Sequence, residues 1–248
     1  MRTHLAVWGV ALALASAASE AAEIRLLGSG AAKEIVTELL PSFEKDSGHK
    51  VSPTWTGGAD IRKRIAAGEV YDVVISNAPD IDGFVQQGKV AAGSRVDLMK
   101  SGVGVAVPEG ASKPDISSGD TLKEALLGAQ FIGYSTGPSG AYIERLVERM
   151  GIADQVKPKL KQVPSGVSVG SIIASNEADL GFQQVSELLH HPGITYLGPL
   201  PADLQYTTIY SARIASGAKE PEAARALVRF MGSPAAVPAI KHHGMDPS

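Results

Sequence analysis

Ile61-Arg62-Lys63-Arg64-Ile65-Ala66-Ala67-Gly68-Glu69-Val70-Tyr71-Asp72-Val73-Val74-Ile75-Ser76 is the stretch on which the fold turns. Its first part, Ile61 to Ala67, reads as a basic amphipathic helix; its last part, Tyr71 to Ser76, reads as a strand buried on both faces. The same alternation extends outward in both directions. Lys50 to Trp55 is a strand leading into that helix, and Ile81 to Gln87 is a helix following Ser76. Further upstream, Ile24 to Leu27 precedes a helix over Ala31 to Phe43. There Ile35, Val36, Leu39, Leu40 and Phe43 recur on one face, with Pro41 bending the last turn. Strand and helix in strict succession predict an α/β fold with a doubly wound sheet.

The texture changes at Gly102-Val103-Gly104-Val105-Ala106-Val107-Pro108, an apolar strand with glycines, and again at an isolated strand, Tyr206 to Ile214. Between them lies a second αβ set. It has helices at Leu122 to Leu127, Ala141 to Met150 (closed by Gly151) and Val167 to Ser175, with strands at Gln130 to Tyr134, near Val163 and at Ala178 to Gln183. The two isolated strands read as crossovers, which gives two doubly wound lobes joined by two crossover strands. Residues 22–103 and 212–248 form lobe 1, and 104–211 form lobe 2. A C-terminal helix, Pro221 to Met231, starts with Pro in its first turn and packs back on lobe 1.

Composition narrows the function. Arg2, the apolar run Leu5 to Ala15 and the small-residue segment Ser16 to Ala22 read as an export signal over 1–21, cleaved near Ala21. The run is shorter than the roughly 20 residues a membrane helix needs, so a soluble exported chain is expected. The formal net charge is −3 without a basic stripe, which leaves nucleic acid out as a partner. With no Cys, disulfides, thiolate metal sites and thiol nucleophiles are excluded.

Four Gly/Ser junctions then stand out: Leu27-Gly28-Ser29-Gly30, Thr56-Gly57-Gly58-Ala59, Gly133-Tyr134-Ser135-Thr136-Gly137-Pro138-Ser139-Gly140 and Pro164-Ser165-Gly166-Val167. Each precedes a helix start, where unpaired backbone N–H groups and the helix dipole receive an anion without a cationic side chain. Two lie in each lobe, so they can converge on one ligand.

Competing chemistries fit less well. Gly28-Ser29-Gly30-Ala31-Ala32-Lys33 begins like a dinucleotide fingerprint, but Lys33 stands where a small residue should allow close helix–strand packing. Gly133 to Gly137 matches G-x-S-x-G, with Asp179 or Asp203 and then His242 in the hydrolase order, so a secreted serine hydrolase using Ser135 is the alternative of another class. Against it, Pro138-Ser139-Gly140 reads as an open loop that delays the helix, and no oxyanion motif lies upstream. His190-His191 are adjacent and His242-His243 sit in a polar tail, so they read as surface residues and no metal site is expected.

Together, the leader, the Gly28 to Ala32 junction, Ile61 to Ser76, Gly137 to Tyr142 and Asn176-Glu177-Ala178-Asp179-Leu180-Gly181 resemble the periplasmic molybdate-binding proteins of ABC importers, over nearly all of the mature chain. The resemblance implies a type II periplasmic-binding fold, hinge closure on a tetrahedral oxyanion such as molybdate or tungstate, delivery to an inner-membrane ABC permease, a periplasmic monomer and no catalysis or cofactor. The ligand-binding residues it implies are Ser29, Gly30, Gly57, Gly58, Ser139, Gly140, Gly166, Val167 and Gln184. Gly30 and Gly57-Gly58 stand where that family carries hydroxyls, and Gln184 where it carries Tyr. These departures, with Trp55 beside the second junction, leave room for an organic carboxylate with Arg62 or Lys63 as counter-charge. A sensor or adhesin on the same fold would share the site.

Overall fold

The structure is a computed structural model that describes residues 21–93 and 95–248. Apart from Ala21, the expected leader lies outside the described residues. Among those described, no helix is long and apolar enough to cross a membrane.

The first lobe runs β1 (Glu23–Ser29), α1 (Lys33–Ser47), β2 (Lys50–Thr56), α2 (Gly58–Ala66), β3 (Val73–Asn77), α3 (Ala78–Gln86) and β4 (Val96–Ser101). The chain then crosses at Gly102 into the second lobe: β5 (Val103–Pro108), α4 (Gly119–Gly128), β6 (Ile132–Tyr134), α5 (Pro138–Arg149), α6 (Ala153–Val156), β7 (Leu160–Gln162), α7 (Val169–Ala174), β8 (Leu180–Gln184), α8 (Val185–Leu188) and β9 (Ile194–Pro199). It returns as β10 (Thr208–Ile214), α9 (Pro221–Met231), α10 (Val237–His242) and β11 (Asp246–Pro247).

Two mixed sheets result, in the orders β11-β4-β10-β3-β1-β2 and β7-β6-β8-β5-β9. The βα units pair in parallel, β1 with β2 and β3, and β6 with β7 and β8. The strands at the crossings run antiparallel to their neighbours, β10 against β3 and β4, and β5 against β8 and β9. Pro53 is tolerated in β2 because that strand is an edge.

Alternation along β1 explains the layering. Ile24 and Leu26 point to the face covered by α1, α9 and α10, where Ile35, Leu227 and Ile240 pack. Leu27 points to the opposite face, beneath Ile61, Ile81 and Phe84 of α2 and α3. In the second lobe Val103, Val105 and Val107 pack under α4 and α5, while Ala106 faces α7 and α8. The strand read at Tyr71 to Ser76 is held at its start by Asp72. Its buried carboxylate accepts from the backbone N–H groups of Arg25 (2.8 Å), Lys219 (2.7 Å) and Glu220 (3.0 Å).

Three readings need correction. β10 belongs to the first sheet from Thr208 onward, so the return crossing lies within residues 200–207 and not at 211/212; β-ladder pairing with Ser101 extends the strand before its apolar run. α5 starts at Pro138, directly after Gly137, because Pro is well suited to the first helical position; no open loop delays it. β4 and β9 are strands without a clear sequence pattern, since Val96–Ser101 is half polar and Ile194–Pro199 is an edge of intermediate exposure. At the crossing, Gln205 joins both chain passages. Its Oε1 accepts from the N–H of Val103 (2.7 Å) and its own neighbour Tyr206 (2.8 Å), and its Nε2 donates to Val103 O (3.1 Å).

Candidate functional site

A cleft of about 550 Å³ lies between the lobes, within the range that small organic ligands occupy. The helix-start junctions converge on it. Ser29 ends β1 and Gly30 opens the 3-10 turn after it, Gly57 and Gly58 open α2, Ser139 lies in the first turn of α5, Gly166 and Val167 precede α7, and Gln184 ends β8; all of these line the cleft. Gly140 does not. A Cβ at Gly140 would stand 1.7 Å from Ser135 O, so this glycine is required by the close packing of the Ser135 loop on α5.

The lobes already touch at the second and fourth junctions. A Cβ on Gly57 would fall 2.4 Å from Ser165 Oγ and 3.0 Å from Gly166 N, and Gly166 itself has φ +84°, a left-handed conformation that favours glycine. Ser186 Oγ adds an interlobe hydrogen bond to Ala31 O at 2.9 Å. Deeper in, Gln184 is buried with Nε2 on Thr208 Oγ1 (3.2 Å) and Oε1 unpartnered. Because a hydroxyl both donates and accepts, a half-turn of the amide would keep the Thr208 bond and leave Nε2 as the free group.

Cations are sparse. Lys33, at the cleft, pairs with Glu34 at 3.3 Å. Arg62 Nη1 stands 3.5 Å from where a Gly58 Cβ would be, and is held bidentate by Asp80 (3.0 and 3.2 Å), which Asn77 Nδ2 orients at 2.7 Å. Arg62 is thus at the rim; Lys63 is exposed and does not line the cleft.

One residue that sequence reasoning missed changes the chemistry. Glu187, in α8, lines the cleft with its Oε1 3.0 Å from the position of a Gly30 Cβ, across the lobe boundary. Burial pushes its carboxyl up to about 7, opposed by the hydrogen bonds from Gln183 Nε2 (2.8 Å) and the Gln184 N–H. No cation pairs with it among the described residues. Tyr210, whose hydroxyl bonds Ser29, lies close enough that burial and the Glu187 charge together raise its pKa well above the ordinary value. A carboxyl that titrates near neutrality inside a ligand cleft can both take and return a proton. A Glu in a four-residue helix carries no sequence signature of that role.

The rival chemistries lose their geometry. Gly28 is required because a Cβ there would lie 2.2 Å from the Trp55 ring, so it serves β1–β2 packing and not a pyrophosphate. Ser135 lines the cleft, but its Oγ bonds Ser139 Oγ (3.1 Å) and the Gly137 N–H (3.2 Å). Asp179 accepts from the N–H groups of Gln130 and Phe131, and His242 bonds Glu38, so neither completes a triad. His190 and His242 are exposed, as read from the sequence, but His243 is buried, and the three rings converge, as described below.

Comparison with known proteins fits this geometry. The chain is 38% identical to a Pseudomonas sp. protein named aconitate isomerase, over 96% of this chain and 94% of that one. It is 27% identical to the molybdate-binding protein ModA of Azotobacter vinelandii, over 93% and 92%. The solved periplasmic molybdate-binding protein of Azotobacter vinelandii superposes with a TM-score of 0.76 at 20% identity, covering 90% of this chain and 98% of that one. The isomerase name overturns the expectation of a chain without catalysis: a relative spanning nearly the whole length is named as an enzyme, and a resemblance to molybdate carriers could not have revealed this. Residues 24–246 match the family described as bacterial extracellular solute-binding protein, and the chain belongs to that family.

Proposed function

We propose that the cleft binds a small unsaturated polycarboxylate of the aconitate class and that Glu187 moves a proton between two of its carbons. The observation that carries this reading is a carboxyl raised to about 7, with no cation paired to it among the described residues, at the meeting point of the anion-receiving turns. The 38% identical isomerase supplies the substrate class.

The chemistry follows from the substrate's skeleton. Aconitate carries a carboxylate on each of three carbons, with one double bond and one adjacent methylene. Ionised Glu187 would remove a methylene proton, and the electron pair would spread over the three-carbon unit into the flanking carboxylates. Returning the proton to the opposite end shifts the double bond and regenerates the same compound, now free to adopt the other geometry. No oxidant, reductant or metal is required for the balance. Charge that builds on the carboxylate oxygens would be met by backbone N–H groups at Gly58 and Ser139 and by the hydroxyls of Ser29 and Ser139, groups fixed before reaction. Ser29, Gly30, Gly57, Gly58, Gly166, Val167 and Gln184 would hold the ends of the ligand, with Lys33 and the Asp80-held Arg62 at the rim as counter-charges.

A tetrahedral oxyanion such as molybdate is the second reading, favoured by the neutral hydroxyl and amide lining and by the ModA relative. Under either reading the chain works outside the inner membrane, and an ABC permease is the partner that would collect captured ligand. Thermal unfolding against cis-aconitate, trans-aconitate, citrate, molybdate and tungstate separates the two. Free ligand at 100 times its dissociation constant stabilises by about 2.7 kcal/mol, and this is expected for the aconitates. Stabilisation by molybdate alone would reject the polycarboxylate reading.

A further inference from the structure

Glu38 in α1 and the consecutive pair His242-His243 at the end of α10 form a cluster on the first lobe. Glu38 Oε2 lies 2.9 Å from His243 Nε2 and 3.1 Å from His242 Nδ1, and one ligand atom from each residue falls within 4.8 Å of the others. Adjacent residues on a regular helix diverge. Here the helix ends at His242, His243 leaves it at φ −89° and ψ 19°, and Gly244 turns left-handed at φ +71°, which brings both rings to one carboxylate. From the second lobe, His190 places its ring 5.3 Å from that of His242 and 5.5 Å from that of His243. Two imidazoles and a carboxylate thus bring their ligand atoms together, and His190, whose Nε2 lies 3.2 Å from His242 O, reaches them across the lobe boundary, beside the cleft that His190 and His243 also line.

His243 is buried, so packing fixes its ring with Nε2 directed at Glu38, while Nδ1, on the other side of the ring, has no hydrogen-bond partner. Glu38 is exposed, and its Oε2 already faces both rings, so a donor oxygen stands beside two imidazole nitrogens. Donor atoms around a four-coordinate zinc, with bonds of about 2.0–2.1 Å, sit roughly 3.4 Å apart. The existing separations of 2.9 and 3.1 Å lie within a few tenths of that spacing.

We propose that Glu38, His242 and His243, completed by His190 from the opposite lobe, bind a divalent late-transition-metal ion of the zinc type and so tie the lobes together. The donor set of imidazole nitrogen and carboxylate oxygen, without thiolate, suits Zn²⁺, Ni²⁺ or Cu²⁺ and disfavours Ca²⁺ or Mg²⁺. Such a clip is distinct from the proposed proton chemistry and does not depend on it.

Isothermal titration of ZnCl₂ into chelator-treated full mature chain, in a non-coordinating buffer without organic acids, tests this directly. One saturable equivalent is expected, and Glu38→Gln, His242→Asn and His190→Ala should each weaken it by at least about tenfold. His242 and Glu38 are largely exposed, so those variants fold even if a change at buried His243 does not. Absence of saturable binding, or affinity unmoved by Glu38→Gln and His242→Asn, would overturn the site. Affinity unmoved by His190→Ala alone would overturn the tie between lobes.

Discussion

Replacing Glu187 by Gln keeps the shape and the bond from Gln183 but removes the ionisation that burial opposes. Moving a carboxyl from its ordinary 4.5 up to about 7 corresponds to about 3 kcal/mol, at about 1.4 kcal/mol per pH unit. Because the group opens on cleft water, screening reduces this to about 1–3 kcal/mol. The sign follows from proton counting. Below pH 4.5 the carboxyl is protonated in both folded and unfolded chains and costs nothing. Between 4.5 and 7 the unfolded chain loses its proton while the folded one keeps it, so stability falls as pH rises. Above 7 the penalty is complete. Urea unfolding of both proteins at pH 4 and pH 8 should show Glu187→Gln more stable by about 1–3 kcal/mol at pH 8 and equal at pH 4. A difference of the same size at both pH values, or a less stable variant at pH 8, would refute the reasoning about this carboxyl.

Three other substitutions probe the cleft and the frame. Gly57→Ala introduces a Cβ 2.4 Å from Ser165 Oγ but suits the extended backbone at that position. It should leave unfolding stability near wild type while weakening aconitate by about tenfold, or about 1.4 kcal/mol, by calorimetric titration; unchanged affinity would mean that the lobe contact plays no part in binding. Asp72→Ala strands three backbone N–H groups, and urea unfolding should register a loss of about 3–5 kcal/mol. Ile35→Ala in the first-lobe core, where Ile35 is fully buried, should cost about 2–5 kcal/mol in the same measurement.

Much of the frame was legible because it follows periodicity. Ile35, Val36, Leu39 and Phe43 all pack where their spacing places them, and the run Tyr71 to Ser76 lies at the centre of the first sheet. The lobe boundary was harder to read. β10 is fixed by pairing with Ser101 and Met99, a long-range register that no local pattern announces. The converging junctions were visible as glycines and serines before helices, though Gly140 shows that a glycine in such a place can answer to packing alone. Glu187 and the cluster of Glu38, His190, His242 and His243 were not legible. Their partners lie up to 205 positions away along the chain, and the bend at His243 and Gly244 that joins two adjacent rings on one carboxylate is set by tertiary packing.

The most direct test follows cis-aconitate by proton NMR in D₂O with wild-type protein and with Glu187→Gln. The account predicts conversion to the trans form with deuterium entering the substrate carbons in wild type, and retained binding without conversion or exchange in the variant. Conversion at equal rates in both proteins, or a bound aconitate that neither isomerises nor exchanges in wild type, would contradict it.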